Sequence, residues 1–166
     1  MLHVKAMENL KLGARLKENI RRKLPVLAFL LVLLGTASCS SFNRDWKSGA
    51  KTPAPAGGIE GRWEGVWLSH TNGHHGQLRS LMSKQTDTQY QARFHAKFWK
   101  IFSYGYTVLL TARELDGAYQ FQGDADLGWL AGGLYHYDGQ ATPTNFVSTY
   151  RSKHDGGVFH MERPRE

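Results

Sequence analysis

Length, composition and charge limit the chain to a small protein without an internal disulfide. It has 166 residues, one cysteine, 12% aromatic residues and a formal net charge of +7. Residues 1–38 hold seven of the 21 basic residues and two of the 14 acidic ones, so the later residues carry only +2. A nucleic-acid footprint needs a basic patch on the folded domain, so we expect no nucleic-acid partner. With one cysteine, packing has to provide the stability.

The first 38 residues have the organisation of an export signal. Arg21-Arg22-Lys23 precedes an apolar run over residues 24–34, and small residues follow up to Cys39. The run has 11 residues, whereas a membrane-spanning helix needs about 20 and the apolar part of a signal peptide about 7–15. We therefore predict a signal peptide over residues 1–38, which is helical and is removed on export.

The residues around the predicted cleavage site resemble the lipoprotein signals of bacteria. The segment is Thr36-Ala37-Ser38-Cys39, with Thr36 where that family usually has leucine. The resemblance implies that Cys39 is the lipidation site, carrying a diacylglyceryl thioether and an amide-linked acyl chain such as palmitate. It also implies a membrane partner and a place in the bacterial cell envelope. Because Ser40 is not aspartate, the resemblance favours the outer membrane, with the protein facing the periplasm. Two alternatives remain: a plain secretory signal, and an uncleaved helix with a chance cysteine.

The segment that follows is predicted to be a lipidated tether, residues 39–59. It begins with Ser40-Ser41 and ends in the proline-, alanine- and glycine-rich stretch 53–58. Such a composition, without periodic apolar residues, is typical of a flexible or partly extended spacer. About twenty flexible residues would reach roughly 25 Å in root-mean-square terms.

From residue 60 to residue 166 the pattern is that of half-buried strands. In residues 90–98 apolar and polar side chains alternate, which gives a strand one apolar face and one polar face. Asn72-Gly73, Asp116-Gly117 and Asp138-Gly139 favour the tight turns of hairpins. Residues 124–134, rich in glycine, are predicted to be a bend, a bulge or a lid. The other predicted strands are 62–69, 76–84, 104–114, 118–124, 133–138, 146–153 and 157–162.

These strands predict an all-β domain over residues 60–166. No stretch between them is long and amphipathic enough for a crossover helix, so the strands should be antiparallel. We predict a small up-and-down barrel, or a strongly curled meander, of about eight strands. Closure of the sheet would remove the unpaired edges that favour aggregation.

The start of the domain resembles the lipocalin and fatty-acid-binding superfamily. Gly61-x-Trp63 lies at the beginning of the first predicted strand, and the resemblance implies that the tryptophan closes one end of a ligand-carrying barrel. Aromatic side chains with polar tips can line a pocket for an apolar ligand. Equally, such side chains can fill the core. The candidate ligand-binding residues are Trp63, Trp67, Phe94, Tyr106, Phe121 and Tyr135.

The remaining motifs give weak indications of chemistry. His70, His74 and His75 are weak candidates for a metal site, because imidazole is a common ligand but a structural zinc needs four donors. Asp124, Asp126 and Asp138 could form paired carboxylates, although turn capping is the simpler interpretation. The sequence has no nucleophile motif and no phosphate loop. We expect no catalytic residues, no cofactor and no metal.

The leading hypothesis is a cell-envelope lipoprotein that acts as a non-catalytic binding module for a small apolar ligand or lipid. One alternative is a structural or interaction lipoprotein with a filled barrel and an envelope protein as its partner. A weaker alternative is a small hydrolase or metal-binding protein that uses His70, His74 and Asp126.

Overall fold

The computed structural model describes residues 41–98 and 102–165. The predicted signal peptide and Cys39 lie outside the described residues. The compact unit that carries the strands comprises Phe42–Glu166. Within the described ranges, no helix combines the length and the apolar character that crossing a bilayer requires.

The described strands form one closed antiparallel barrel, which confirms the predicted fold class. Each strand pairs with the next one along the chain, and β1 pairs with β8, where Gly65 lies opposite Met161. All eight predicted strands are present, with ends that differ by a few residues. The prediction of a tight turn at Asp138-Gly139 was wrong, because these residues lie inside the sixth strand and pair on both sides. The strands are β1 Gly61–Ser69, β2 His75–Lys84, β3 Gln89–Phe98, β4 Phe102–Leu115, β5 Ala118–Asp126, β6 Leu134–Ala141, β7 Asn145–Arg151 and β8 Gly156–Glu162.

The barrel has two ends, which we name by their contents. The plug end is where the odd-numbered strands begin, and Trp63 lies just inside it. The far end carries the β1–β2, β3–β4, β5–β6 and β7–β8 connections. In the β5–β6 connection a short 3-10 helix, Trp129–Ala131, replaces regular strand. This agrees with the bend predicted near residues 124–134, although β5 continues to Asp126.

Strand alternation directs one set of side chains into the barrel, where they form a single core. Because successive residues of a strand point to opposite faces, every second residue is buried. The inner surface carries aromatic rings in mutual contact, such as Phe121 and Phe146 with centroids 4.7 Å apart. The buried cluster is Ile59, Trp63, Leu78, Met82, Tyr90, Ala92, Phe94, Val108, Leu110, Ala112, Phe121, Ala125, Tyr137, Ala141, Phe146, Tyr150, Phe159 and Met161.

The first half of the predicted tether is not a flexible spacer. Residues 41–49 are helical, and Phe42 and Trp46 are buried. These two residues are four apart and so share one helix face. The Phe42 ring stacks on His95 of β3 at 5.0 Å. The guanidinium of Arg79 lies 5.0 Å from the Trp46 ring. The helix therefore packs on the outer wall of the barrel because two aromatic side chains bury their surface there.

An ion pair and the direction of the helix complete this contact. Arg93 Nη1 lies 2.7 Å from Asp45 Oδ2, and the pKa of Asp45 is lowered mainly by that hydrogen bond. Phe42 lies over His95, toward the far end, whereas Gly49 lies against Arg62, near the plug end. The helix thus runs along the wall from the far end to the plug end.

We predict that acidification between pH 7 and pH 5 loosens this helix. Burial beneath Phe42 lowers the pKa of His95, and the nearby Lys97 and Arg79 charges add to the effect. A histidine with a lowered folded-state pKa binds protons better when unfolded, so stability falls as pH drops below the unfolded pKa. Amide hydrogen exchange of residues 45–49, corrected for intrinsic rates, should show protection that decreases over this range.

The matched control for this prediction is His95→Phe, which keeps an aromatic stack and removes the titration. Because the pKa of Asp45 is lowered in the folded protein, the stability that the Asp45–Arg93 pair contributes is lost only at more acidic pH, below 3.8. Titration of Asp45 therefore does not affect the measurement between pH 7 and pH 5. Equal loss of protection in the wild type and in His95→Phe would contradict the assignment to His95.

Candidate functional site

The six candidate ligand-binding residues all lie on the inner surface of the barrel, but they do not form one group. Trp63 and Phe121 lie in the plug half, and both contact Phe146. The others lie toward the far end, where Phe94 and Tyr106 stack at 5.2 Å. The far-end set is Trp67, Phe94, Tyr106 and Tyr135.

The plug end is closed by Trp63 and a basic side chain from the end of β8. The Trp63 indole is fully buried and donates a hydrogen bond from Nε1 to the Ile59 carbonyl oxygen at 2.8 Å. The Arg163 guanidinium lies over the indole, 3.9 Å from the ring centroid. A cation at this distance from the face of tryptophan is attracted by the ring quadrupole.

Arg163 also joins two separate segments of backbone, residues 58–62 and the β6–β7 connection. Its guanidinium donates to the carbonyl oxygens of Gly58 at 3.0 Å, Glu60 at 2.7 Å and Arg62 at 3.2 Å, and to that of Pro143 at 2.8 Å. Burial lowers the pKa of Arg163. We did not predict this residue as important. The sequence did contain an indication of its position: continued alternation along β8 points residue 163 into the barrel, as it does Met161.

The far half of the interior is a ladder of stacked rings with hydroxyl groups. Tyr104 and Tyr106 are 5.8 Å apart, and Tyr106 and Tyr137 are 6.3 Å apart. Burial raises the pKa of Tyr106 well above its ordinary value, and the hydrogen bond with Tyr137 adds to this. Burial likewise raises the pKa of Tyr137. These hydroxyls therefore remain neutral at physiological pH and act as hydrogen-bonding groups, not as bases.

Two connections of the far end are tied together at Ser69. Its hydroxyl donates to Asp155 Oδ1 at 2.6 Å and accepts from the backbone N–H groups of Thr71 and Asn72, at 3.2 and 3.3 Å. Burial, together with the Asp155 carboxylate, raises the pKa of Tyr150. Ser69 thus serves to fix the β1–β2 and β7–β8 turns.

Aromatic rings on the inner surface lie against one another in pairs. Ring centroids of neighbouring pairs lie between 4.7 Å, for Phe121 and Phe146, and 6.4 Å, for Phe94 and Tyr137. Such distances are those of directly contacting rings. A ligand placed between the rings of such a pair would have to separate side chains already packed against each other.

Among the grooves formed by the described residues, two large ones lie on the outer surface. One of about 610 Å³ crosses β4, β5 and β6, and its lining is mainly polar, with Arg113, Gln122 and Asp138 among its residues. The other, of about 540 Å³, lies at the far end. It is lined by Trp129, Gly132, Gly133, Leu134, His136, Arg151, Ser152, Lys153 and His154.

The β5–β6 connection beside the second groove presents two large apolar side chains to solvent. Trp129 is 87% exposed and Leu130 is 82% exposed. The loop is well defined, because Gly133 N–H donates to the Gly128 carbonyl oxygen at 2.9 Å. Gly128 and Gly132 have φ angles of 78° and 96°, which a residue with a side chain rarely adopts. Trp129 was not among the predicted site residues, although the sequence shows a Trp-Leu pair between glycines.

The histidines and carboxylates singled out in the sequence do not form a metal site in the structure. His70, His74 and His75 lie in or beside the β1–β2 connection. Across the ranges 41–98 and 102–165, no three His, Cys, Asp or Glu side chains are placed to hold a metal ion. The Asp126 carboxylate accepts a hydrogen bond from Gly128 N–H at 2.9 Å, so it caps a turn.

The other two carboxylates pair with basic side chains. Asp124 Oδ1 lies 2.6 Å from His136 Nδ1, and Asp138 lies 3.9 Å from Arg151. These side chains are on the outer surface. Their contacts are those of surface pairs, which contribute little to stability.

Comparison with known proteins gives no further indication of function. The sequence matches no protein-family model, and no curated protein is significantly similar to it.

Proposed function

We propose that the protein is a non-catalytic lipoprotein of the bacterial cell envelope, with a filled barrel that acts as an interaction module. The barrel would be attached to the membrane through acylated Cys39. The observation that carries the choice of a filled barrel is the contact of aromatic rings in both halves of its interior, Trp63 with Phe146 in the plug half and Phe94 with Tyr106 in the far half. With its interior occupied, the protein would use its outer surface.

The proposal of an envelope lipoprotein rests on the sequence. The basic segment, the short apolar run and the small residues before Cys39 together indicate export and acylation. Several acyl chains on one residue hold a protein at a membrane firmly, because each buried methylene contributes about 0.8 kcal/mol. The outer membrane, facing the periplasm, is the proposed location because Ser40 follows the cysteine.

A second candidate function is the binding of a flat apolar ligand at the mouth of the far end. Tyr104 is 39% exposed, and its ring continues the stack formed by Tyr106 and Tyr137. A planar ligand could extend this stack without entering the barrel.

Native mass spectrometry of the protein extracted from membranes of the bacteria that express it tests these proposals. We expect a chain that begins at Cys39 and carries covalent acyl groups, with no retained ligand. Cys39→Ser should lack the acyl mass, whereas Ser40→Ala, a neighbouring change that keeps the thiol, should retain it. An intact start methionine with a bare thiol would overturn the lipoprotein proposal. A ligand that stays bound to the Cys39→Ser chain after lipid extract is added would overturn the filled, non-binding barrel.

A further inference from the structure

The far end of the barrel combines exposed apolar side chains with basic ones. Trp129 and Leu130 project from the β5–β6 connection, and Leu134, the first residue of β6, is 50% exposed. Arg151 and Lys153 line the same groove as Trp129; that lining contains no carboxylate, and the Asp138 carboxylate, 3.9 Å from Arg151, lies outside it. We call Trp129, Leu130, Leu134, Arg151, Lys153 and His154 the Trp129 patch.

We propose that the Trp129 patch docks on the surface of a membrane that contains anionic phospholipid. Tryptophan prefers the interface between headgroups and acyl chains, where its ring is in an apolar setting and its N–H is near water. Leu130 would enter the acyl boundary beside it. Arg151 and Lys153 would lie at the level of the lipid phosphates, to which their charge is complementary. A leaflet without anionic lipid would offer the cations much weaker attraction.

The shape of the loop supports insertion. Glycines with positive φ stand on both sides of the 3-10 helix, and the backbone hydrogen bonds from Gly133 to Gly128 and from Leu127 to Gly133 close the loop. The tip is therefore already in its exposed form, so little conformational entropy is lost on docking. Two side chains more than four-fifths exposed would otherwise remain in contact with water.

Vesicle sedimentation with the full chain carrying Cys39→Ser tests the docking without the lipid anchor. The vesicles are phosphatidylcholine alone, or phosphatidylcholine with about one third phosphatidylglycerol, whose negative surface attracts basic residues. We expect tighter binding to the anionic vesicles. In the same background, Trp129→Ser with Leu130→Ser should weaken that binding about tenfold or more. Arg151→Gln with Lys153→Gln should remove most of the preference for anionic vesicles and its dependence on salt.

A matched control uses two exposed apolar residues near the plug end, Leu115 and Val147, which are 56% and 43% exposed. Leu115→Ser with Val147→Ser should leave vesicle binding unchanged, and circular dichroism should show the same unfolding temperature for all variants. Residues 1–38, with their net charge of +5 and their apolar run, are present in every variant, so the effect of the patch is the difference in binding between each variant and the Cys39→Ser chain.

Three results would overturn the proposal. The first is equal binding to both kinds of vesicle, and the second is binding that neither patch variant reduces. The third is dimer formation by the Cys39→Ser chain that is lost when Trp129→Ser and Leu130→Ser are added, while vesicle binding does not change. The patch would then contact a second copy of the chain. Because the chain in this test is unacylated, its outcome is separate from that of the mass measurement on Cys39.

Discussion

Replacing Trp63 by alanine should lower the free energy of unfolding by about 3–5 kcal/mol, the usual cost of removing a large buried aromatic side chain. The indole is fully buried and contacts Phe146, with ring centroids 5.7 Å apart. Its removal leaves a cavity at the plug end and an Ile59 carbonyl without its donor. The guanidinium of Arg163 loses the ring that it covers. Chemical denaturation followed by circular dichroism measures the change, and the melting temperature should fall by roughly 10 °C or more.

Trp129→Ala provides a matched control for Trp63→Ala in the same chain. It is the same substitution, made at a side chain that is 87% exposed. Surface substitutions usually change stability by about 0.5 kcal/mol or less. Similar losses at Trp63 and Trp129 would show that Trp63 does not close the barrel in the way described.

Replacing Gly139 by alanine should destabilise the barrel by about 3 kcal/mol or more, through crowding and not through a cavity. Gly139 lies in β6, and a Cβ atom there would overlap the carbonyl oxygen of Val147 on β7 and the ring of Phe121. The Phe121 ring cannot move away easily, because it stacks on Phe146 at 4.7 Å. Thermal and denaturant unfolding should both record the loss.

Gly105→Ala is the corresponding control for Gly139→Ala. Gly105 also lies within a strand, but a Cβ atom there would be 3.6 Å from the nearest atom, the Phe94 carbonyl oxygen. Alanine restricts the unfolded chain, so the result should lie between no change and a gain of about 1 kcal/mol. A neutral Gly139→Ala would contradict the packing described between β6, β7 and Phe121.

The barrel could be predicted from the sequence because its signals are local. Alternation over residues 90–98 identifies a strand without reference to any other part of the chain. Pairs such as Asp116-Gly117 identify a turn, and Asp116 does have a positive φ of 52°. Short strands joined by short turns can pair only with their neighbours in sequence, and closure then follows from strand number and twist.

The helix at residues 41–49 could not be predicted in the same way. Two aromatic residues four apart give a weak local signal, and a helix of this length is marginal in water by itself. Its stability comes from β1, β2 and β3, where Arg79, Arg93 and His95 lie far away in sequence. Tertiary contacts therefore decided the conformation of a segment whose composition favours a spacer.

The sequence indicates which face of the barrel the candidate residues occupy, but not whether they bind a ligand. Alternation correctly places the six aromatic candidates inside the barrel. A hollow barrel and a filled barrel have the same alternation, so the pattern does not distinguish between them. The difference depends on how rings such as Phe94, Tyr106 and Tyr137 orient toward one another. The exposure of Trp129 depends on the loop conformation that Gly128 and Gly132 permit, which alternation does not describe.

The pairing of β1 with β8 sets the order in which the molecule can be made. Gly65 and Met161 lie opposite each other, and the Arg163 clamp comes after β8 in the chain. Contacts separated by about a hundred residues are formed late in folding, because the long intervening loop has to close first. While the chain is being made, one edge of β1 can pair with β2, but the edge that pairs with β8 stays open until the last strand is available. An open strand edge can join strands of other chains, so the protein is most prone to aggregation before β8 forms.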